Sequence, residues 1–181
     1  MKDEPSEIMQ NLTQFESDED EEDIIEDMFL IFSLDKYQYG IEIKFITEIV
    51  GLSEITEIPD MPSFVKGVIN LRGKVISLID TRLRFGMKEV SYDEKTCIII
   101  LHLEGQFLGL IVDTVREVIK ILPDQTSASP QFGETEKNKL IQSIAKINND
   151  IKMILNIHNI VNEKYKSEVL SLPSEKQGVS L

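Results

Sequence analysis

The chain has 181 residues, 41% of them hydrophobic and 28% charged, enough to bury the core of one domain or of two small ones sharing a core. Its 32 acids against 19 bases give a net charge of −13, which argues against a nucleic-acid partner, because phosphates demand a basic face. A single cysteine excludes a disulfide framework and points to the reducing cytoplasm, and no apolar run approaches the roughly 20 residues that span a bilayer.

Residues 1–27 hold twelve of the acids and one base, Lys2. Such a like-charge block repels itself and is expected to form an extended acidic tail outside the fold. It also lacks the basic start and apolar segment of a secretory signal. From Phe29 the pattern becomes that of short strands. Phe29 to Leu34 and Tyr37 to Ile43 read as a hairpin about Asp35-Lys36. Lys44 to Ile49 has apolar residues at helix-like spacing and suits a turn or two of helix. Pro59 and Pro62 punctuate a connection. Val65 to Leu71 and Val75 to Ile79 are strands flanking Arg72-Gly73, and Asp80 to Gly86 has the acidic start and glycine stop of a short helix.

A second block has the same rhythm. Thr96 to Leu103 is a strongly apolar strand, so Cys97 reads as a buried structural thiol. Glu104-Gly105 is a turn, Phe107 to Val112 the returning strand, and Val115 to Ile121 a further strand. Leu122 to Thr135 is polar, contains Pro123, Pro130 and Gly133, and reads as a loop. Leu140 to Ile147 and Ile151 to Leu155 form a hairpin about Asn148-Asn149-Asp150, and Asn156 to Tyr165 suits a short helix. Residues 167–181 lose apolar periodicity and are expected to be a flexible tail. Strands at short, regular intervals predict a mostly-β barrel or sandwich.

Nothing in this pattern supplies catalytic machinery. His102 and His158 stand apart with no second ligand at metal spacing. There is no phosphate-binding loop and no nucleophile elbow, and Asp80 and Asp113 sit where strand ends commonly cap the next turn. No metal or cofactor is expected. A binding module needs oriented charges and apolar anchors, and the Arg72-Gly73 turn offers one. Gly73 can adopt the positive φ of a tight turn, which leaves Arg72 at the tip of the hairpin. Its planar guanidinium suits recognition of a carboxylate on a partner, against the plainer reading of a turn arginine in water.

Pro62, Phe64, Gly67, Asn70-Leu71-Arg72-Gly73, Asp80 and Arg82 together resemble the signature of the CheW family of chemotaxis coupling proteins. Gly40, Glu48, Gly51, Gly109 and Asp113 also match the family's pattern, and the resemblance runs from about Phe29 to Tyr165. It implies two SH3-like five-stranded β-barrels sharing a hydrophobic core, with a few short helices. The domain would cover 28–166, divided near Lys88 into barrels of 28–88 and 89–166, with exchange of strands between them allowed. It also implies a non-catalytic adaptor in the cytoplasm, associated with membrane-bound receptor arrays. Such adaptors join the cytoplasmic tips of chemoreceptors to the regulatory domain of the histidine kinase CheA, and ring assembly is expected with that domain, in alternation, or with further copies of the chain itself. By resemblance, Ile46, Glu48, Arg72, Val115 and Val118 belong to the receptor-facing surface, with Glu48 and Arg72 forming an ion pair. Ile43 and Phe132 belong to kinase contacts. Gly40, Gly67, Gly73 and Gly109 are turn and packing glycines. The chain departs from the pattern at Val50, where relatives often carry a base, at Ser77 for proline and at Thr81 for leucine. The alternative is a regulatory β-barrel module that binds a small molecule in the groove between barrels, or RNA; the acidity disfavours RNA.

Overall fold

The computed structural model describes residues 25–129 and 138–160. Alternating and continuous apolar runs form eleven strands among them. These are β1 (Met28–Leu34), β2 (Tyr37–Glu42), β3 (Ile46–Gly51), β4 (Val65–Leu71), β5 (Lys74–Asp80), β6 (Cys97–Leu103), β7 (Gln106–Val112), β8 (Thr114–Lys120), β9 (Thr126–Ala128), β10 (Ile141–Ile147) and β11 (Asp150–Leu155). Two single helical turns complete the described elements, α1 (Thr81–Arg84) and α2 (Ile157–Ile160), with 3₁₀ turns at Ile43–Phe45, Pro123–Gln125 and Asn138–Leu140. The segment from Lys44 to Ile49, expected to be helical, is mostly β3. The β-branched run Ile46-Thr47 and Ile49-Val50 favours a pleated strand, which pairs antiparallel with β6.

The strands make two SH3-like barrels. One sheet has the order β8-β1-β2-β11-β10-β9 and the other β3-β6-β7-β5-β4. The first has six strands where five were expected, the extra one being the three-residue β9. The division expected near Lys88 does not coincide with the barrels. Residues 46–112 form the whole five-stranded sheet, and the six-stranded one is built from β1 and β2 joined to strands that follow residue 113. Lys88 lies inside the five-stranded barrel, between α1 and β6. The joining is done by β1 against β8, antiparallel, and by β2 against β11, parallel with Lys152 opposite Gln38.

This arrangement explains why β1 and β6 are apolar along both faces. Leu30, Phe32 and Leu34 enter a core shared by both barrels, whereas Ile31 faces the interior of its own barrel with Ile121, Ala145 and Ile154. Likewise Cys97, Ile99, Leu101 and Leu103 join the shared core, and Ile98 and Ile100 pack inside the five-stranded barrel with Ile69, Ile76, Leu78 and Ile111. Strands buried on both faces need no polar alternation. Close packing also accounts for three glycines. A Cβ on Gly67 would lie 2.0 Å from the Thr56 carbonyl oxygen, and its φ of 133° suits only glycine. A Cβ on Gly109 would meet Leu78 Cδ2 at 2.5 Å, and one on Gly40 would meet Ile154 Cδ1 at 2.8 Å.

Candidate binding face

The Arg72 hairpin is built by its turn. Leu71 pairs with Lys74, so only Arg72 and Gly73 form the loop, with φ of 51° and 87°. Two positive φ values in a two-residue loop mark a type I′ turn, whose twist matches that of the flanking strands. Asn70 Oδ1 accepts the Gly73 N–H at 2.9 Å and steadies the loop. The backbone thus holds an arginine in a conformation that normally selects asparagine or glycine.

The Arg72 side chain leans back onto β3. Its Nη1 donates to Glu48 Oε1 at 3.1 Å and its Nη2 lies 3.0 Å from Glu48 Oε2, a two-pronged ion pair. Arg72 remains 76% exposed and Glu48 21% exposed. Glu48 therefore fixes the direction of the guanidinium, while water still reaches the rest of it. Lys74, on the far side of the turn, holds its ammonium 4.2 Å from the centroid of the Phe107 ring, which lies tilted against His102 with ring centroids 4.9 Å apart.

The other residues assigned by resemblance are placed as follows. Ile46 and Val118 are half-buried, one on β3 and one on β8, and both pack on the shared core. Val115 is only 7% exposed and is a member of that core, so it anchors β8 and offers little surface to a partner. Ile43 is half-buried against the same core. Phe132 lies outside the described residues, as do residues 1–24 and 161–181.

Sequence reasoning did not foresee the charged junction between the barrels. Asp80 caps α1 by accepting the Leu83 N–H at 3.1 Å, and its other oxygen accepts the Tyr92 hydroxyl at 2.7 Å. Burial, then that hydrogen bond, raises the Tyr92 phenol above its usual pKa, and burial pushes Tyr39 up to about 12. Arg82 is held above the ordinary arginine value by its hydrogen bonds to Asp113. Burial pushes the Cys97 thiol up to about 11, which keeps it an unreactive core residue. The Asp-Thr-Arg order after a strand was a visible sign of a capped turn, but the partners of the arginines were too distant in sequence to read. Among the described residues, no three His, Cys, Asp or Glu side chains are grouped to hold a metal, and no helix is long and apolar enough to cross a membrane.

The Arg72 hairpin therefore presents a largely exposed guanidinium, oriented by the Glu48 carboxylate, on the five-stranded sheet. Comparison with known proteins gives it a context. The sequence model of the CheW-like domain matches residues 28–164. The chain is 33% identical over 136 residues to the chemotaxis protein CheW of Klebsiella aerogenes, covering 75% of this chain and 82% of that one. It is 31% identical over 147 residues to the chemotaxis protein CheW of Helicobacter pylori, covering 81% and 87%. The crystal structure of the scaffolding protein TtCheW from Thermoanaerobacter tengcongensis superposes with a TM-score of 0.70 at 36% identity, over 75% of this chain and 94% of that one.

Proposed function

This chain belongs to the CheW family, and from that premise we propose that it couples the cytoplasmic tips of chemoreceptors to the histidine kinase CheA. Membership makes it a chemotaxis scaffold of a non-enzymatic family. The finer reading is ours. In it, Glu48 and Arg72 with Ile46 and Val118 meet the receptor tip, Val115 supports β8 from beneath, and Ile43 and Phe132 contact the kinase regulatory domain. The protein works in the cytoplasm at receptor arrays and assembles into rings with the kinase.

One observation carries the reading. An arginine occupies the first position of a type I′ turn, where its φ of 51° is costly, and remains largely in water despite its ion pair. Asparagine or glycine would fit the turn without that cost, and the exposed ion pair with Glu48 does no more than offset it. A contact made by the guanidinium in a complex explains why arginine is present.

The test is binding of the full chain to a purified receptor signalling hairpin and to the kinase regulatory domain, each alone and then together. The expected result is binding to each and a ternary complex containing both. Failure to bind either partner would refute the proposal.

A further inference from the structure

α1 is a single turn, yet both of its arginines reach beyond their own barrel. Arg82 Nε donates to Asp113 Oδ1 at 2.7 Å and Arg82 Nη2 to Asp113 Oδ2 at 2.5 Å. Asp113 is the residue at which the chain leaves β7 for β8 and so crosses from one barrel to the other. Its Oδ2 also accepts the backbone N–H of Asp35, in the β1–β2 turn, at 2.7 Å. Two positions along, Arg84 donates to the carbonyls of Ile160 and Asn159 at the end of α2 and stacks 5.0 Å from the centroid of the Phe64 ring. One helical turn of the five-stranded barrel thereby grips the rest of the chain at two places, Asp113 before β8 and Asn159–Ile160 in α2.

The shared core holds the barrels together by apolar burial. Apolar burial is non-directional, whereas a forked guanidinium–carboxylate contact specifies both distance and angle. Orientation matters here because the proposed receptor face is divided. Glu48 and Arg72 stand on the five-stranded sheet, Val118 on the six-stranded one, and β3 and β8 pair with different strands. Arg82 and Asp113 are 15% and 27% exposed, so the pair offers little area to any partner.

We propose that Arg82 is a positioning residue, which through Asp113 fixes β8 relative to β3 and so sets the affinity of the divided face without touching the receptor. The inference rests on the coupling reading above for its second half, affinity, and on geometry alone for its first, position. A clasp that loosens leaves only a fraction of molecules with the two parts of the face aligned, and apparent affinity falls by that fraction.

The test uses the full chain with Thr47→Cys on β3 and Lys120→Cys on β8, both exposed positions, carrying spin labels. Cys97 is buried and stays unlabelled. Arg82→Gln removes charge and fork, and Arg82→Lys keeps the charge with a single-point contact. The expected result is a broader distance distribution between the labels in Arg82→Gln, an intermediate one in Arg82→Lys, and receptor-hairpin affinity falling in the same order, by about tenfold for Arg82→Gln. If Arg82→Gln does not fold, Arg82→Lys carries both measurements. An unchanged distance distribution in the folded variant would overturn the positioning role whatever happens to binding. A broadened distribution with undiminished binding would overturn the link to affinity. A parent chain that binds no receptor hairpin refutes the coupling reading, and the affinity half with it, while the distance distributions still decide position.

Discussion

Replacing Arg72 by asparagine separates what the hairpin needs from what the binding face needs. The residue has φ of 51°, and a left-handed conformation costs an ordinary L-residue about 1–2 kcal/mol. Asparagine tolerates that region, and Asn-Gly is a favoured type I′ pair, so the change should recover roughly 0.5–1 kcal/mol. Against this stands the ion pair with Glu48. Arg72 is 76% exposed, and an exposed pair contributes about 0.2–1 kcal/mol, with two-pronged geometry favouring the upper end. The two effects nearly cancel, so Arg72→Asn should change stability by about 0.5 kcal/mol or less, a shift of roughly 2 °C or less in Tm. Receptor binding should behave differently. Loss of a multidentate donor at the centre of an interface costs about 2 kcal/mol or more, roughly 30-fold in affinity. Denaturant unfolding and calorimetric titration with a receptor hairpin measure the two quantities on one preparation. A stability loss beyond about 1.5 kcal/mol would show that Arg72 holds the fold together. Undiminished receptor affinity would make it a turn arginine in water.

Two further changes probe the interior. Thr81 is fully buried, and its hydroxyl has no hydrogen-bond partner among the described residues, so Thr81→Val should stabilise the protein by about 1 kcal/mol in chemical denaturation; destabilisation would mean that the hydroxyl is satisfied. Tyr39 and Tyr92 are raised in the folded state, so the unfolded chain loses their protons first. The stability they contribute is complete below the ordinary tyrosine pKa of about 10 and is lost as pH rises through the folded values. Stability should therefore fall above about pH 10, and the pair of changes Tyr39→Phe and Tyr92→Phe should flatten that fall when unfolding is followed across pH. An equally steep fall in the double variant would assign the alkaline loss to other groups.

The local structure was legible because turns carry their own chemistry. Glu104-Gly105 and Asn148-Asn149 have positive φ at both positions, as Arg72-Gly73 does, and each was readable as a turn from residue type. Asp80 caps α1, and Gly86, with φ of 69°, closes the turn after it, matching the acidic start and glycine stop. What could not be read was partnership. Gln38 and Lys152 share a register and a hydrogen bond across 114 positions, and alternation in β2 reveals a strand without naming its neighbour. The boundary near Lys88 was implied by the family resemblance, and the similar rhythm of the two halves could not correct it, because rhythm is blind to which edges join. The Glu48–Arg72 pair was anticipated from family resemblance, whereas the reach of Arg82 and Arg84 depends on a junction that exists only once both barrels are in place.

The interleaved topology has a consequence for how the protein is made. Of the described strands, β1 and β2 leave the ribosome first, but β8 and β11, which flank them in the finished sheet, are synthesised only after the whole of residues 46–112. The five-stranded barrel has all of its strands in one stretch and can close while translation continues, whereas the first hairpin waits with both outer edges unpaired. Long-range pairing of this kind is slow, because chain closure must precede the contacts that reward it. Unpaired edges beside apolar faces are also the surfaces on which nascent chains aggregate. The earliest hairpin in the chain is thus the last to be completed, and the interval before β11 emerges is when the nascent protein most needs protection from its neighbours.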